Sequence, residues 1–361
     1  MEFLPLPPRL MRCLFNRGRW EPSYRGKSCL TPMSNDYSIL LTIDVEDWFQ
    51  VENFKPWIPF SSWSSHELRV EKNTYRLLDL LDSQQSAVSS QGSTVSGPPS
   101  AVRRPPSEDN GPRTTDNGLG VKPRATFFVL GWIAERLPHL VREIHTRGHE
   151  VASHGYYHNL CNECSSKDLR ADLIKSKKLL EDIIGAPVYG YRAPSFSIDK
   201  DILKIIKDCG YLYDSSYNSF SMHGRYGRVD LSQNGTRGIA LQISKTQYPV
   251  SSILYELPIS NMTLANCIFP LGGGGYFRLI PFFLFKKGVQ SILKKENAYL
   301  FYTHPWEIDP EQPRVNQASA FYKFRHYVDL NRTHSKLSQL LKTFDDCRFL
   351  TCNEYLEEMM K

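Results

Sequence analysis

Apolar and polar residues follow two alternating patterns along this chain of 361 residues. Short, continuous apolar runs are typical of parallel strands that are covered on both faces. Longer segments with an apolar residue at every third or fourth position predict amphipathic helices. The apolar runs predict strands at 39–43, 124–131, 150–153 and 298–303, with further short apolar segments at 188–191, 211–214 and 253–258. The helical pattern predicts helices at 67–81, 135–147, 167–184 and 199–209.

The order of these elements repeats along most of the chain as a helix, a short strand and a polar loop. This repetition is typical of an α/β protein built as a (β/α) barrel. In such a barrel, the loops at the carboxyl ends of the strands form the active site. Since the polar clusters of the sequence follow apolar runs, we expect the functional side chains to meet at one end of the barrel.

The composition divides the chain into three parts and one insertion. Residues 1–36 contain five prolines among scattered arginines and are expected to be a disordered N-terminal extension. Residues 37–310 are expected to form the barrel, and residues 311–361 a helical C-terminal extension that packs on it. Residues 83–122 are rich in Ser, Gly and Pro and contain no aromatic residue, so we expect a disordered insertion there.

No apolar segment of the secretory type precedes the first strand, and no stretch of about 18 uncharged apolar residues occurs. We therefore expect no signal peptide, no transmembrane helix and a cytoplasmic location, with Met33 as the true start. The eight cysteines lack the spacing of a disulfide framework, so reduced thiols are expected. The net charge of +6 has no dominant basic cluster, which argues against a nucleic-acid partner and leaves an acidic polymer open as a substrate.

Two histidines four residues apart, His154 and His158, follow the strand predicted at 150–153. This spacing suits a single divalent metal ion. A catalytic zinc ion usually has three protein ligands and one open position for water, so a carboxylate must join the two imidazoles. The first predicted strand ends in three carboxylates: Asp44, Glu46 and Asp47. The sequence therefore predicts a metal site where these two strands end.

An aromatic-rich loop follows the first strand. Its aromatic residues are Trp48, Phe49, Phe54, Trp57, Phe60 and Trp63. Aromatic side chains beside a polar site often form walls on which sugar rings stack, and Trp48 is the nearest candidate for substrate contact. A packed cap over the end of the barrel is the other interpretation, and the sequence favours neither.

Five motifs of the chain resemble those of the NodB-homology polysaccharide deacetylases, also called carbohydrate esterase family 4. The motifs are an acidic strand end, an HxxxH pair, an RxP segment followed by an aromatic residue, a GY…D segment and a late strand that ends in histidine. They appear here in this order at 42–47, 154–158, 192–196, 210–214 and 303–304. The segments 44–49, 273–278 and 324–328 resemble a subfamily linked to bacterial exopolysaccharide and exosortase loci. The resemblance extends from about residue 37 to nearly the C-terminus, apart from the insertion.

The resemblance implies a distorted (β/α) barrel that removes N-acetyl groups from a polysaccharide or a lipid-linked oligosaccharide with the help of one divalent metal ion. Zn²⁺ is the expected ion, with Co²⁺, Ni²⁺ and Fe²⁺ as alternatives. A membrane-bound polysaccharide assembly system is a partner that the subfamily suggests. The implied roles are general base for Asp44, orientation of that base for Arg192, an oxyanion donor at the backbone near Phe196, and general acid for His304.

Two departures from the family pattern leave roles open. The family usually has two adjacent acids, whereas this chain has Asp44, Glu46 and Asp47. Alternation along a strand favours Glu46 as the metal ligand, while a turn beginning at Val45 would favour Asp47. The Asp-Trp pair that often lies beyond the GY segment is absent, and Asp214 is the candidate to orient His304.

Two other functions remain open at the level of sequence. A non-catalytic polysaccharide-binding module would be expected to lack the base or the ligands, which this chain retains. A hydrolase of a small cyclic or linear amide on the same fold would differ in the shape of its pocket, which the sequence does not show.

Overall fold

The computed structural model describes residues 37–84, 122–220, 229, 236–237, 239–242, 253–264 and 267–361. The predicted N-terminal extension and nearly all of the predicted insertion lie outside these residues. The strands are β1 (Ser38–Val45), β2 (Ala125–Val129), β3 (Glu150–Ser153), β4 (Gly190–Tyr191), β5 (Tyr213–Asp214), β6 (Thr236–Arg237), β7 (Ala240–Gln242), β8 (Tyr255–Glu256), β9 (Asn261–Leu264), β10 (Cys267–Pro270), β11 (Ala298–Thr303) and β12 (Arg348–Phe349). The helices are α1 (Val70–Asp82), α2 (Gly131–Arg136), α3 (Pro138–Thr146), α4 (Ser166–Ile184), α5 (Lys200–Asp208), α6 (Gly274–Leu279), α7 (Phe282–Glu296), α8 (Ala320–Tyr327), α9 (Leu330–Thr343) and α10 (Cys352–Met360).

Most of the strands form one curled sheet with the order β11-β1-β2-β3-β4-β5-β8-β7-β6. The pairs from β11 to β8 are parallel, and β7 and β6 add an antiparallel edge. On the other side of β11, Ser260 N–H donates to Leu300 O and Tyr302 N–H donates to Gly272 O. Backbone hydrogen bonding therefore continues beyond β11 through residues that form no strand with it. This architecture confirms the predicted distorted (β/α) barrel.

The side chains of β1 alternate between the two faces of the sheet, and this alternation determines which of them face the inside of the barrel. Ile39, Leu41, Ile43 and Val45 belong to the large apolar core between the sheet and the helices. Leu40 belongs to a second core that also contains Phe128, Leu300 and Tyr302 from neighbouring strands. Because side chains alternate along a strand, Thr42 and Asp44 share the face of Leu40. The last residues of β1 thus bring a carboxylate to the inner side of the sheet.

The helix predicted at 135–147 is instead two helices. Pro138 lacks a backbone N–H and is at the first position of α3, so it begins a new helix after α2 ends at Arg136. The strands at 150–153 and 298–303 have the predicted bounds, and β1 and β2 differ from the prediction by a few residues at their ends.

The C-terminal residues are mostly helical, but they also supply a strand to the barrel. Within the part predicted as an extension, β12 pairs in parallel with β1 through the partners Arg348 with Ser38 and Phe349 with Ile39. Leu350, Tyr355 and Leu356 belong to the same inner core as Leu40. Residues 348–356 of the predicted extension are therefore integrated into the sheet and its inner core.

In the described portion of the chain, no helix is both long and apolar enough to cross a membrane. Five of the cysteines there are free thiols, as expected: Cys161, Cys164, Cys209, Cys347 and Cys352. Cys267 is disulfide-bonded, which contradicts the expectation of reduced thiols throughout.

Candidate active site

The polar residues named from the sequence come from the carboxyl ends of four parallel strands. Asp44 and Glu46 follow from β1, His154 and His158 from β3, Arg192 from β4, and His304 from β11. The side chains of all six are buried or nearly so. Since parallel strands end at the same edge of the barrel, these residues meet in one place.

Glu46, His154 and His158 form the tightest polar group of the site. Each offers one ligand atom, and these atoms lie within 4.8 Å of one another. The Glu46 N–H donates to Asp44 O at 3.0 Å, so the chain turns sharply immediately after β1. This turn brings Glu46 to the two imidazoles. Two imidazoles and one carboxylate are a donor set that zinc commonly has in hydrolases.

The contacts within this group fit a shared ion better than a hydrogen bond. His158 Nε2 lies 2.7 Å from Glu46 Oε2, but the two are not aligned as donor and acceptor, and this buried oxygen has no hydrogen-bond partner among the described residues. His154 Nδ1 lies 2.8 Å from Arg192 O, an acceptor only, which leaves Nε2 as the ligand atom. Burial lowers the pKa of His154 to about 4, so its imidazole is neutral at neutral pH, as a metal ligand must be.

The carboxylate of Glu46 is ionised. Burial alone would raise its pKa, but the nearby His158 and His304 hold that pKa well below the usual range. Its Oε1 also accepts a hydrogen bond from Trp306 Nε1 at 3.2 Å. The surrounding imidazoles therefore favour the charged form of this buried carboxylate.

Asp44 lies beside this group and is held by a buried arginine. Arg192 donates from one terminal nitrogen to Asp44 Oδ1 and to Thr42 Oγ1, both at 2.7 Å. Its other donors bond to Ser215, through Nε to the carbonyl oxygen and through a terminal nitrogen to the hydroxyl, both at 2.8 Å. The guanidinium is therefore fixed in orientation, and it leaves Asp44 Oδ2 facing the pocket side of the site.

His304 faces Asp44 and Glu46 from the end of β11. Its Nε2 lies 3.8 Å from Asp44 Oδ2 and 3.5 Å from Glu46 Oε1. Its Nδ1 lies 2.8 Å from Glu307 Oε1. Burial alone would lower the pKa of His304, but the hydrogen bond to Glu307 and the charge of Glu46 raise that pKa to about 9. The imidazole is therefore protonated at neutral pH in this arrangement.

Glu307 and Arg278 support His304, and the sequence analysis missed both. Arg278 Nε lies 2.8 Å from Glu307 Oε2, and both side chains are almost completely buried. Arg278 also donates to the carbonyl oxygens of Arg325, His326 and Val328 at the end of α8. The signal for Glu307 was present in the segment His304-Pro305-Trp306-Glu307, because a carboxylate three residues after a polar residue can complete a capping box.

Trp306 packs against His304 at one side of the site. Its ring stacks on His304 with a centroid distance of 5.1 Å and, on the other face, on His326 at 4.2 Å. The ring keeps the imidazole of His304 in one plane, while its N–H contacts Glu46. The two sides of the site are therefore connected through one indole.

The prediction that Asp47 could be the metal ligand is wrong. Its carboxylate accepts hydrogen bonds from the backbone N–H groups of Trp48, Arg69 and Val70 at 2.7–2.8 Å. The bonds from Arg69 and Val70 satisfy donors at the start of α1, as a capping carboxylate does. Burial raises the pKa of Asp47 to about 6.

Trp48, the residue predicted to contact the substrate, is not among the residues that line the pocket described below. Its side chain is 4% exposed and donates from Nε1 to Glu67 O at 3.3 Å, so it packs beneath the loop. Of the six aromatic residues in this loop, Trp57 and Phe60 are the ones exposed by more than a third. Most rings of the loop are therefore packed as a cap, and stacking of sugars on the two exposed rings stays a prediction.

Asp214 does not orient His304, contrary to the prediction. Its carboxylate accepts from the Ser216 hydroxyl at 2.8 Å, and that hydroxyl accepts from Ala193 N–H at 2.8 Å. Burial raises the pKa of Asp214 to about 6, and burial together with Asp214 raises that of Glu256 well above its usual range. Asp214 thus supports the loop that follows Arg192.

That loop has an unusual backbone at the pocket. Ser195 and Phe196 have φ angles of 51° and 58°, and His158 across the site has a φ of 54°. Non-glycine residues in this conformation cost free energy and often occur at functional sites. The Phe196 N–H donates to Ala193 O at 2.9 Å, so the predicted oxyanion donor is already engaged, and the Phe196 ring lines the pocket instead.

A pocket of about 340 Å³ contains the site. Its floor consists of the residues already described, and one wall comes from Phe321, Tyr322 and Arg325 of α8. Trp57 contacts Tyr322 edge to face at 6.4 Å and is 37% exposed. Aromatic side chains therefore line the pocket, and two of them, Phe321 and Tyr322, come from a helix that was not predicted to reach the site.

Residues 120–213 match the family described as "Polysaccharide deacetylase", and residues 215–357 match one described as "Domain of unknown function (DUF3473)". The peptidoglycan-N-acetylglucosamine deacetylase of Bacillus cereus is 32% identical over 90 residues, which are 25% of this chain and 42% of that protein. The peptidoglycan deacetylase of Helicobacter pylori is 24% identical over 253 residues, covering 66% of this chain and 79% of that protein. The chain spans 29% and 42% of the length of the first two curated relatives that it matches.

A solved structure assigned as a polysaccharide deacetylase from Mycobacterium smegmatis has the same fold, with a TM-score of 0.51 and 16% identity over 91% of this chain and 93% of that chain. The chain therefore contains a polysaccharide deacetylase domain at residues 120–213, followed by the second matched domain at residues 215–357.

Proposed function

We propose that this chain is a metal-dependent deacetylase that hydrolyses N-acetyl groups on polysaccharides or lipid-linked oligosaccharides that contain N-acetylglucosamine. The observation that carries the proposal is the arrangement of Asp44 and His304, whose facing atoms lie 3.8 Å apart beside the group of three ligand side chains. Amide hydrolysis needs a base for water and an acid for the departing amine. Both are present in one pocket.

Glu46, His154 and His158 would hold the divalent ion, with Zn²⁺ favoured by the donor set and Co²⁺, Ni²⁺ or Fe²⁺ as alternatives. When bound, the ion would lower the pKa of a water molecule and polarise the acetyl carbonyl group. The protein's own contribution is to fix the ligands, through the hydrogen bond from His154 Nδ1 to Arg192 O and the sharp turn before Glu46.

Asp44 is the group placed to remove a proton from water. Arg192 donates to one oxygen of its carboxylate and fixes it, so the other oxygen is presented to the pocket. His304, protonated and held by Glu307, would then donate its Nε2 proton to the nitrogen of the departing amine. Glu307 stays ionised during this step because Arg278 lies against its second oxygen.

The relatives support the substrate class. Proteins similar to this chain are named for deacetylating peptidoglycan or chitooligosaccharide, both of which contain N-acetylated amino sugars. The aromatic wall from α8 and Trp57 suits stacking on a sugar ring. We further propose that the reaction belongs to exopolysaccharide biosynthesis, in the cytoplasm and in association with a membrane-bound assembly system.

The test is acetate release from N-acetylated oligosaccharides by purified chain of measured metal content. Chelation should abolish release, and added Zn²⁺ or Co²⁺ should restore it. Full release by metal-free protein would contradict the proposal. Small linear and cyclic amides should be tested in parallel, because faster turnover of these compounds would favour a small-amide hydrolase. Binding of oligosaccharide without any release would favour a non-catalytic module.

A further inference from the structure

The outer side of α7, together with the last residue of α6, presents apolar and basic residues to solvent within a short segment. Leu279, Phe283 and Leu284 are 43%, 62% and 48% exposed. Phe285, Val289, Ile292 and Leu293 on the opposite side are buried in the core, so the helix already has its packing partner. The exposed apolar residues are therefore an additional feature of the helix, not the side that holds it to the barrel.

Of the remaining exposed positions of the helix, Ser291 is polar and uncharged and the others are lysines. Lys287, Lys294 and Lys295 continue the surface that begins with Phe283 and Leu284, at the spacing of successive helical turns. Lys295 pairs with Glu296 at 2.7 Å. From residue 279 to residue 295 the sequence contains four lysines and no acid. We call Leu279, Phe283, Leu284, Lys287 and Lys294 the α7 outer face.

The apolar end of this face is fixed on a rigid corner. Between α6 and α7, Lys336 of α9 donates to the carbonyl oxygens of Phe277, Arg278 and Ile280. Pro281 precedes the first residue of α7. Because the corner is held in this way, the exposed side chains have a defined direction and are not part of a loose loop.

We propose that the α7 outer face docks the protein on a membrane surface that contains anionic lipids. Leu and Phe side chains beside lysines are typical of helices that insert their apolar residues at the level of the headgroups. Lysines near an anionic leaflet contribute attraction that acts over a Debye length. A protein partner fits less well, because lysine is depleted from the cores of protein interfaces. The exposed aromatics Trp57 and Phe321 are accounted for by the pocket.

The face is close to the active site along the chain. Arg278, the residue before Leu279, contacts Glu307, which in turn holds His304. Docking through α7 would therefore hold the acid side of the pocket at a fixed place relative to the lipid surface. The docking inference itself rests on the exposed residues and their charges, independently of the reaction that we propose.

The experiment is flotation of the full chain with phosphatidylcholine vesicles, with or without about one third phosphatidylglycerol. The double variant Phe283→Ser/Leu284→Ser should lower the partition coefficient at least about tenfold on the anionic vesicles. Lys287→Gln/Lys294→Gln should lower it about twentyfold on the anionic vesicles and leave the weak binding to neutral vesicles unchanged.

The matched control is Ile174→Ser on α4, which removes an aliphatic side chain of similar exposure (51%) from another helix. It should bind vesicles like the parent. Thermal midpoints exclude unfolding, and acetate release from a soluble oligosaccharide should be unchanged in all variants. Absence of parent binding, or equal binding by the Phe283→Ser/Leu284→Ser variant, overturns the inference. Self-association of the parent that is lost in this variant would also overturn it, in favour of a protein interface.

Discussion

The two sides of the active site each contain a buried arginine paired with a carboxylate, but at different distances from the chemistry. On the base side, Arg192 bonds directly to Asp44, the group that we propose accepts a proton. On the acid side, Arg278 contacts Glu307, and Glu307 contacts His304. Asp44 is therefore in direct contact with an arginine, whereas His304 is connected to an arginine only through Glu307.

The two sides also come from different parts of the chain. His154, His158 and Arg192 lie in the part that matches the polysaccharide deacetylases, whereas Arg278, His304 and Glu307 lie in the part described as a domain of unknown function. The second part is thus not an accessory to a complete enzyme. It supplies His304, which we propose as the acid, together with Glu307, Arg278 and a wall of the pocket, so neither matched part contains all residues of the site.

The largest effect is expected from the metal ligands. Glu46→Gln should lose both bound metal and acetate release, because the two remaining imidazoles hold an ion poorly. Asp47→Asn, its neighbour, should retain the metal and instead lose roughly 1–2 kcal/mol of stability, since its carboxylate caps the backbone of α1. Metal analysis, acetate release and thermal unfolding of the two variants distinguish the roles. Loss of metal from Asp47→Asn alone would reverse the assignment.

The second-largest effect is expected from changes to Asp44 and Arg192. Asp44→Asn should lower kcat by roughly 10² to 10⁴, the usual contribution of a general base, and should leave the metal content unchanged. Arg192→Lys should also lower kcat, because a lysine cannot bond to Asp44, Thr42 and Ser215 at once. A metal-free Asp44→Asn protein would show that Asp44 is a ligand and not the base.

On the acid side, the effect of a substitution should depend on the leaving group of the substrate. Glu307→Gln should lower the rate on N-acetylated oligosaccharides by about tenfold to a hundredfold, a part of the full contribution of a general acid. Hydrolysis of p-nitrophenyl acetate should change little, because its leaving group departs without a proton. Glu311→Gln, a change at a mostly exposed carboxylate nearby, is the control. Equal losses on both substrates would indicate a general structural defect.

A smaller effect is expected at the opposite end of the barrel, where Glu150 begins β3. Burial raises the pKa of this carboxyl from 4.5 to about 7. The folded protein therefore binds the proton more tightly than the unfolded chain does. The resulting stabilisation is complete below about pH 4.5 and is lost as the pH rises through about 7, a difference of about 3 kcal/mol. In Glu150→Gln, the thermal midpoint should decrease less between these pH values than it does in the parent. An equal decrease in both proteins would show that the pKa of Glu150 is not raised.

The smallest effect is expected from the insertion. Its flanks are already close, since Lys122 Nζ lies 3.1 Å from Asp82 Oδ1. They join α1 to β2 at the end of the barrel away from the pocket. Replacing Gln84 to Gly120 with a short Gly/Asn linker should change stability by about 1–2 kcal/mol at most and leave kcat intact. A large loss of kcat in a folded variant would show that the segment reaches the site.

The sequence was most informative where an apolar run ends in polar residues. The bounds of β3 and β11, and the meeting of His154, His158, Asp44 and His304, follow from that pattern and from the motif order. The choice between Glu46 and Asp47 did not, because it depends on one backbone hydrogen bond, from Glu46 N–H to Asp44 O. A turn of this kind is set by tertiary packing rather than by the residues that form it.

The residues that support the proposed base and acid were the least predictable part of the site. Asp214 and Glu307 are both buried acids near catalytic residues, and only their geometry shows that Glu307 contacts His304 while Asp214 supports the Arg192 loop. The α8 wall was missed for a similar reason, because helical periodicity identifies the buried side of a helix but not which pocket its other side faces.

The pairing of β1 has a consequence for biosynthesis. This strand lies between β2 and β11, and β12 pairs with its first residues. During translation β1 emerges early, whereas its partners Ala298–Thr303 and Arg348–Phe349 emerge only near the end. One edge of an apolar strand thus stays unpaired on the ribosome for most of synthesis, which favours aggregation of the nascent chain. Expression fragments that end before residue 349 should consequently accumulate in inclusion bodies, and the full-length product should depend on chaperones that cover exposed strands.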